Sequence, residues 1–338
     1  MFTKDVLKLD PRETAEAIEA SVRRIVLKQL RRRGVVVGMS GGVDSSVVAA
    51  LCARALGPER VLGLLMPEPE SSRDSLRLGL VAARRLGIGT EVVNIGPALE
   101  AMGCYRYRDD AIRRVFPRYG EGWKCKLVLP AIVDGARFNV FSLVVQSPDG
   151  ETLSAHLPLD AYLQVVAASN MKQRTRKLTE YFHAERLHYA VAGTPNRLEY
   201  DQGFFVKYGD GAADFKPIAH LYKTQVYDLA AELGVPEEIR KRPPTTDTYS
   251  MPQTQEEFYF ALPYDKMDLC LWARNHAVPA EDAAPVAGLT VGQVEQVYRD
   301  IDAKRRATRF LHMAPILIER ISGVESPGES AALGIDDA

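Results

Sequence analysis

The stretch Val35 to Ala50, VVVGMSGGVDSSVVAA, limits the fold of this chain more than any other. Three β-branched residues, Val35 to Val37, suit a buried parallel strand; Gly38 to Gly42 supplies small residues for a sharp turn; from Ser45 an apolar pattern suited to a helix resumes. Such a strand, glycine-rich loop and helix leave the backbone N–H groups of Ser40 to Ser45 unpaired at the helix start, where the helix dipole adds partial positive charge. An anion belongs there. The loop has no lysine, which separates it from the GxxxxGK[ST] phosphate loop. Asp44 instead stands among the donors, an arrangement that suits an anion only when a divalent cation bridges carboxylate and phosphate. A plain glycine turn capped by Ser45 is the structural alternative, outweighed by the complete strand, hexapeptide and helix.

The surrounding chain extends the same pattern. An amphipathic helix over Pro11 to Leu30 precedes it, and strands follow at Val61 to Met66, Thr90 to Ile95 and His188 to Gly193, with helices at Ser75 to Leu86 and Asp160 to Ala184. This alternation predicts an α/β fold with a doubly wound parallel sheet and ligands at the carboxyl ends of its strands. Ser71, Ser72 and Asp74 lie at one such end, equally suited to an adenosine and to capping the next helix. Between Cys104 and Leu159 the alternation breaks. Arg137 to Val145, the turn SPDG and Glu151 to Leu157 predict a β-hairpin, part of an insertion at about 121–159. In the helix that follows, Asn170 and Arg174 share a face and Arg176 points elsewhere; a solvated face and a phosphate or carboxylate clamp are the alternatives.

Bulk properties exclude several classes. A net charge of −1 gives no general attraction to nucleic acid or acidic lipid, and Arg31 to Arg33 fit a helix C-terminus better than an RNA site. The four cysteines form no CxxC pair, so neither zinc nor a disulfide framework is expected. With no signal-like N-terminus and no transmembrane-length apolar run, a cytoplasmic protein without membrane contact is expected.

The hexapeptide Ser40 to Ser45 resembles the pyrophosphate loop of the N-type ATP pyrophosphatases, which split ATP into AMP and pyrophosphate while activating an oxygen. A second segment, GTPNRLEYDQGFFVKYGDGAAD from Gly193 to Asp214, resembles the NAD synthetases of that class, and the likeness continues through Pro217 to Asp247, Pro252 to Asp268 and Ala303 to Arg306. It covers about Asp10 to Pro315, apart from the insertion. The resemblance implies a single domain of the adenine nucleotide alpha hydrolase-like type with a C-terminal helical region and a flexible tail from about 323. It implies ATP-dependent amidation of nicotinic acid adenine dinucleotide (deamido-NAD), with ammonia as nitrogen donor, free or passed by a separate subunit. A homodimer with the helix around Asn170 near its contact is also implied.

The same resemblance assigns residues. Gly38, Ser40, Gly41, Gly42 and Ser45 would hold ATP together with Thr194, Lys223 and Thr245; Asp44 and Glu199 would bind Mg²⁺. Lys223 would neutralise phosphate charge during reaction, and Asp210 would order the closing loop or handle the ammonia proton. Arg174, Lys207, Asp214 and Lys304 would hold the dinucleotide acid. Taken singly, each has a bland alternative: Glu199 and Lys207 as solvated charges, Asp214 as a cap, Lys304 as part of a basic helix. Pro195, Gln255 and the insertion at about 121–159, just before the helix carrying Arg174, depart from the family pattern, which leaves an amide-forming enzyme for a different carboxylic acid as an alternative. A tRNA-modifying relative and a nucleotide-binding protein without activity are further alternatives, the first disfavoured by neutral charge and scattered cysteines.

Overall fold

The computed structural model describes residues 2–128, 142–244, 248–260, 262–319 and 321. Helix α1 (Pro11–Arg23) runs on through a π-helical stretch to Gln29 and leads into β1 (Val35–Gly38), α2 (Val43–Leu56), β2 (Val61–Leu65), α3 (Arg73–Leu86) and β3 (Gly89–Val92). Two short helices, α4 (Gly96–Ala101) and α5 (Cys104–Arg113), precede three strands, β4 (Lys124–Val128), β5 (Ser142–Gln146) and β6 (Thr152–His156). The long α6 (Leu159–Leu187) then returns the chain to the main sheet as β7 (Ala190–Ala192). After it come α7 (Arg197–Gln202), α8 (Lys223–Glu232), α9 (Glu237–Arg240), α10 (Tyr264–Asn275), α11 (Ala280–Ala287) and α12 (Val291–His312).

The main sheet is parallel, in the order β3-β2-β1-β7. Its central strand shows why the sequence demands burial on both sides. Val35 and Val37 pack into one core with Val47 and Leu51 of α2 and Val226 of α8, while Val36 packs into another with Leu64, Leu99, Ala184 and Val191. Side chains alternate across a strand, so an unbroken valine run needs helices on both faces. The chain winds outward from β1 to β3 and then places β7 on the other side of β1. The winding therefore reverses between β1 and β7, and the crevice beyond their carboxyl ends is where such sheets bind ligands.

The insertion differs from expectation. It is a three-stranded antiparallel sheet, β4-β5-β6, in which the expected hairpin is only β5 and β6. The sequence signal for β4 is the Asp134-Gly135 pair that stands between it and β5, which the expected hairpin did not use; the part of that hairpin at 137–141 lies outside the described residues, as does the tail from 323. The predicted third strand is also shorter, because Ile95 already caps α4.

Gly41 turns the chain between β1 and α2 with φ +74°, and a Cβ there would collide with the Ser75 carbonyl oxygen and lie 3.1 Å from the Gly79 nitrogen. Both obstacles are backbone of α3. Gly41→Ala is therefore expected to lower the unfolding free energy by more than about 1 kcal/mol, measured as a shift in the urea midpoint at constant slope.

Candidate active site

The loop after β1 is tied to itself. Ser45 and Ser46 donate their hydroxyls to the Gly42 carbonyl at 3.1 and 2.8 Å, the Gly42 N–H donates to Ser40 Oγ at 3.3 Å, and the Ser40 and Ser45 hydroxyls lie 3.1 Å apart. Asp44 stands in the first turn of α2. Opposite, the exit of β7 begins α7 with a capping box: Asn196 Oδ1 accepts from the Leu198 and Glu199 N–H groups at 3.0 and 3.2 Å, and Glu199 Oε2 accepts from the Asn196 N–H at 3.0 Å. The Asn196 side chain then donates across the crevice to Asp44 Oδ1 at 3.1 Å. Asn196 thereby holds both carboxylates.

Lys223, the first residue of α8, completes the group by donating Nζ to Asp44 Oδ2. It is fully buried, between the rings of Tyr227 and Tyr264 at 5.9 and 5.6 Å. Asp268 of α10 fixes its position, accepting from the backbone N–H groups of Lys223 and Thr224 at 3.3 and 2.8 Å. Gln255 donates to Glu199 Oε1 at 3.1 Å and accepts from the Tyr264 hydroxyl at 2.7 Å. Burial and the charge of Asp44 push the Glu199 carboxyl up to about 8, against the pull of Lys223, the Asn196 N–H and Gln255. Burial opposes the charge of Lys223, but Asp44 and Glu199 outweigh it and raise its pKa.

These groups line or adjoin a cavity of about 470 Å³. The loop contributes Gly38, Ser40, Gly42, Asp44 and Ser45; the β2 exit contributes Met66, Ser71 and Ser72; the β7 exit contributes Thr194, Pro195 and Glu199. Asp210 also faces it, its carboxyl raised by burial and its Oδ1 accepting from the Val206 N–H at 2.8 Å. Ser72 is at once a cavity residue and the cap of α3, accepting from the Asp74 N–H at 3.2 Å, whereas Asp74 pairs with Arg77 outside. Gly41 shapes the turn without lining the cavity, and Thr245 lies outside the described residues.

Four expected residues stand elsewhere. Arg174 is exposed and donates to the Lys207 carbonyl at 3.3 Å. Lys207 donates to the carbonyls of Phe310 and Met313 at 2.7 and 3.0 Å, closing the end of α12. Lys304 is held by Asp300 at 2.6 Å and the Tyr259 carbonyl at 2.6 Å, and burial lowers its pKa. Asp214 accepts from the Val191 N–H at 2.7 Å, serving the sheet. On α6 the cavity face is Asn170, Gln173, Arg176 and Lys177 rather than Asn170 with Arg174. Gln173 is near the centre of that face and Arg174 sits about 100° round the helix from it. Arg176, expected to point away from the face of Asn170, lines the cavity with it, and Asn196 and Lys177 were not singled out in the sequence; for Asn196 the signal was present as an Asn three residues before Glu199.

A self-tied glycine loop at the sheet's reversal point, faced by two half-buried carboxylates and a buried lysine, defines a nucleotide-handling α/β enzyme site. The NAD synthase family model matches residues 14–115 and 148–308. The chain belongs to that family. It is 61% identical over 312 residues to the NH(3)-dependent NAD(+) synthetase of Mesorhizobium japonicum, covering 92% of this chain and 98% of that one. It is 37% identical over 296 residues to the protein of the same name from Thermotoga maritima, covering 87% and 96%. Among solved structures, the NH3-dependent NAD synthetase of Campylobacter jejuni superimposes with TM-score 0.60 at 22% identity, over 92% of this chain and all of that one, a likeness of fold.

The raised Glu199 pKa has a consequence for stability in metal-free buffer. A carboxyl whose folded value of about 8 exceeds its ordinary 4.5 stabilises the fold fully below 4.5 and loses that contribution as pH rises towards 8. Asp44→Asn removes one cause of the elevation. The variant is expected to lose less stability than the native chain between pH 5 and pH 8 in urea titrations; an equal or steeper loss would refute the coupling.

Proposed function

We propose that the chain is a carbon–nitrogen ligase that amidates nicotinic acid adenine dinucleotide to NAD, using ATP and ammonia and releasing AMP and pyrophosphate. The observation that carries this is the convergence of Asp44, Glu199 and Lys223 at the mouth of the glycine loop. A carboxylate does not react with ammonia because its leaving group would be oxide. In the proposed reaction a carboxylate oxygen attacks the α-phosphorus of ATP, the bond from that phosphorus to the β-phosphate oxygen breaks, and pyrophosphate leaves. Ammonia then attacks the acyl carbon, AMP departs with the former carboxylate oxygen, and a proton is lost. The loop N–H groups and the hydroxyls of Ser40 and Ser45 suit the departing pyrophosphate, and the Lys223 ammonium suits the charge that builds on it.

Asp44 and Glu199 fit a Mg²⁺ ion. They are two hard oxygen donors held by one asparagine, and Glu199 is already driven towards a proton by burial and by its neighbour's charge. Among the described residues no group of three or more His, Cys, Asp or Glu side chains gathers, so phosphate oxygens and water would complete the shell, as Mg²⁺ prefers. Bound there, the ion would offset phosphate charge.

The outer face of α6 supports a homodimer. Leu159, Leu163, Leu178 and Phe182 are all more than half exposed along it, and such an apolar stripe on a single helix fits a second copy. Cytoplasmic work fits four buried cysteines that form no disulfide, and no described helix is long and apolar enough to cross a membrane.

The decisive assay follows NAD and pyrophosphate from ATP, ammonium and the dinucleotide acid. Asp44→Asn is expected to cut turnover by on the order of 10²-fold or more with an unchanged circular dichroism spectrum; unchanged turnover would overturn the role. Leu178→Glu with Phe182→Glu is expected to give monomers by light scattering, where the native chain gives dimers.

A further inference from the structure

The family model passes over residues 116–147, the stretch that supplies β4 and β5. Strand β4 lies at an edge of the inserted sheet, and a segment more than a hundred residues later covers that edge. The Cys125 N–H donates to Ser250 Oγ at 2.9 Å, the Met251 N–H donates to the Cys125 carbonyl at 3.1 Å, and the buried Gln253 amide donates to the Leu127 carbonyl. Unpaired strand edges invite pairing; this one is taken by the chain itself, so it offers no strand to another protein.

The same segment is gripped from its other side. Lys172, 1% exposed, donates to the Thr248 carbonyl at 2.9 Å while it pairs with Glu68 at 3.0 Å and Glu70 at 2.6 Å. Residues 248–255 are thus fixed by the inserted sheet and by a buried ion cluster before Gln255 reaches Glu199.

Helix α6 gives the cavity its long axis. Its lining positions from Tyr162 to Glu180 extend roughly 27 Å at the helical rise. Glu180 marks the glycine-loop end, because its Oε1 lies 2.8 Å from the place of a Cβ on Gly38. Tyr162 and Val166 mark the far end, and they share one core with the inserted sheet, with Tyr249 and with Phe258. All four line the cavity. The glycine-loop end hangs on other cores: Val43 and Val47 with Val226, and Leu198 with Tyr222.

We propose that the inserted sheet is a positioning element for the second substrate, setting the Tyr249 and Phe258 wall at the end of the cavity remote from the glycine loop, with Gln253 as its principal link. It governs how the carboxylate-bearing dinucleotide binds and leaves ATP binding alone. This rests on the amidation proposed above.

The test uses the full chain with Gln253→Leu and, as the milder change, Ser250→Ala. Steady-state kinetics and titration calorimetry with the dinucleotide acid and with ATP are the readouts. Gln253→Leu is expected to raise both KM and Kd for the acid about tenfold and Ser250→Ala about threefold, with both ATP constants within about twofold. If Gln253→Leu does not fold, Ser250→Ala decides alone. Parallel rises for acid and ATP, or unchanged acid constants in a folded variant, would overturn the proposal. A native chain whose affinity for the acid falls with Gln253→Leu yet which forms no NAD would remove the amidation and leave the positioning role standing; one that does not bind the acid would remove both.

Discussion

Lys223 is a cation with no access to water, and its burial dictates what must surround it. An unpaired ammonium inside a protein costs several kcal/mol, so the folded chain must hold its pairing partners around it. Asp44 supplies the contact and Glu199 a second carboxyl group nearby, and both sit in the first turn of a helix. Lys223 itself opens α8. Three helix N-termini thus meet at one place, each contributing partial positive charge. Two acids relieve two of these ends, and Asp268 relieves the third by accepting from both backbone donors beside Lys223. What is left is a pocket rimmed by three helix N-termini with two carboxyl groups and a lysine gathered at one side of it.

Much of this was legible in the sequence because it is local. The valine run, the small residues and the apolar helix specified β1, its turn and α2, and the reversal of winding followed from alternation of strands and helices. Asp44 and Glu199 were recognisable from the motifs in which they sit. What stayed hidden depends on distant partners. Strand β4 pairs with β5 on one side and with the segment around Met251 on the other; the Asp134-Gly135 turn signal between β4 and β5 is one that the expected hairpin passes over, and nothing local announces the second pairing. Arg174 and Arg176 differ by two positions on one helix, and only packing decides which faces the crevice. The Lys172 cluster with Glu68 and Glu70 joins residues a hundred positions apart. Gln255, a departure from the family pattern by sequence, is in the structure a neutral donor that satisfies Glu199 without adding a third negative charge.

The parts of the site rest on separate foundations. The glycine loop is carried by the core of the main sheet, the lysine and Glu199 by the core shared with the C-terminal helices, and the far wall by the core of the inserted sheet. The segment that pairs with β4 joins the two ends, since Gln253 bonds Leu127 and Gln255 bonds Glu199. Strands β4 and β5, which the family model does not cover, belong to the core of the far wall rather than to that of the glycine loop.

The central claim is that the acid captures the α-phosphorus of ATP at the mouth of α2. Amidation with the dinucleotide acid labelled by ¹⁸O in its carboxylate tests it most directly, with both phosphorus products examined by mass spectrometry. One ¹⁸O atom in AMP and none in pyrophosphate is the predicted result; label in pyrophosphate, or in neither product, would contradict it.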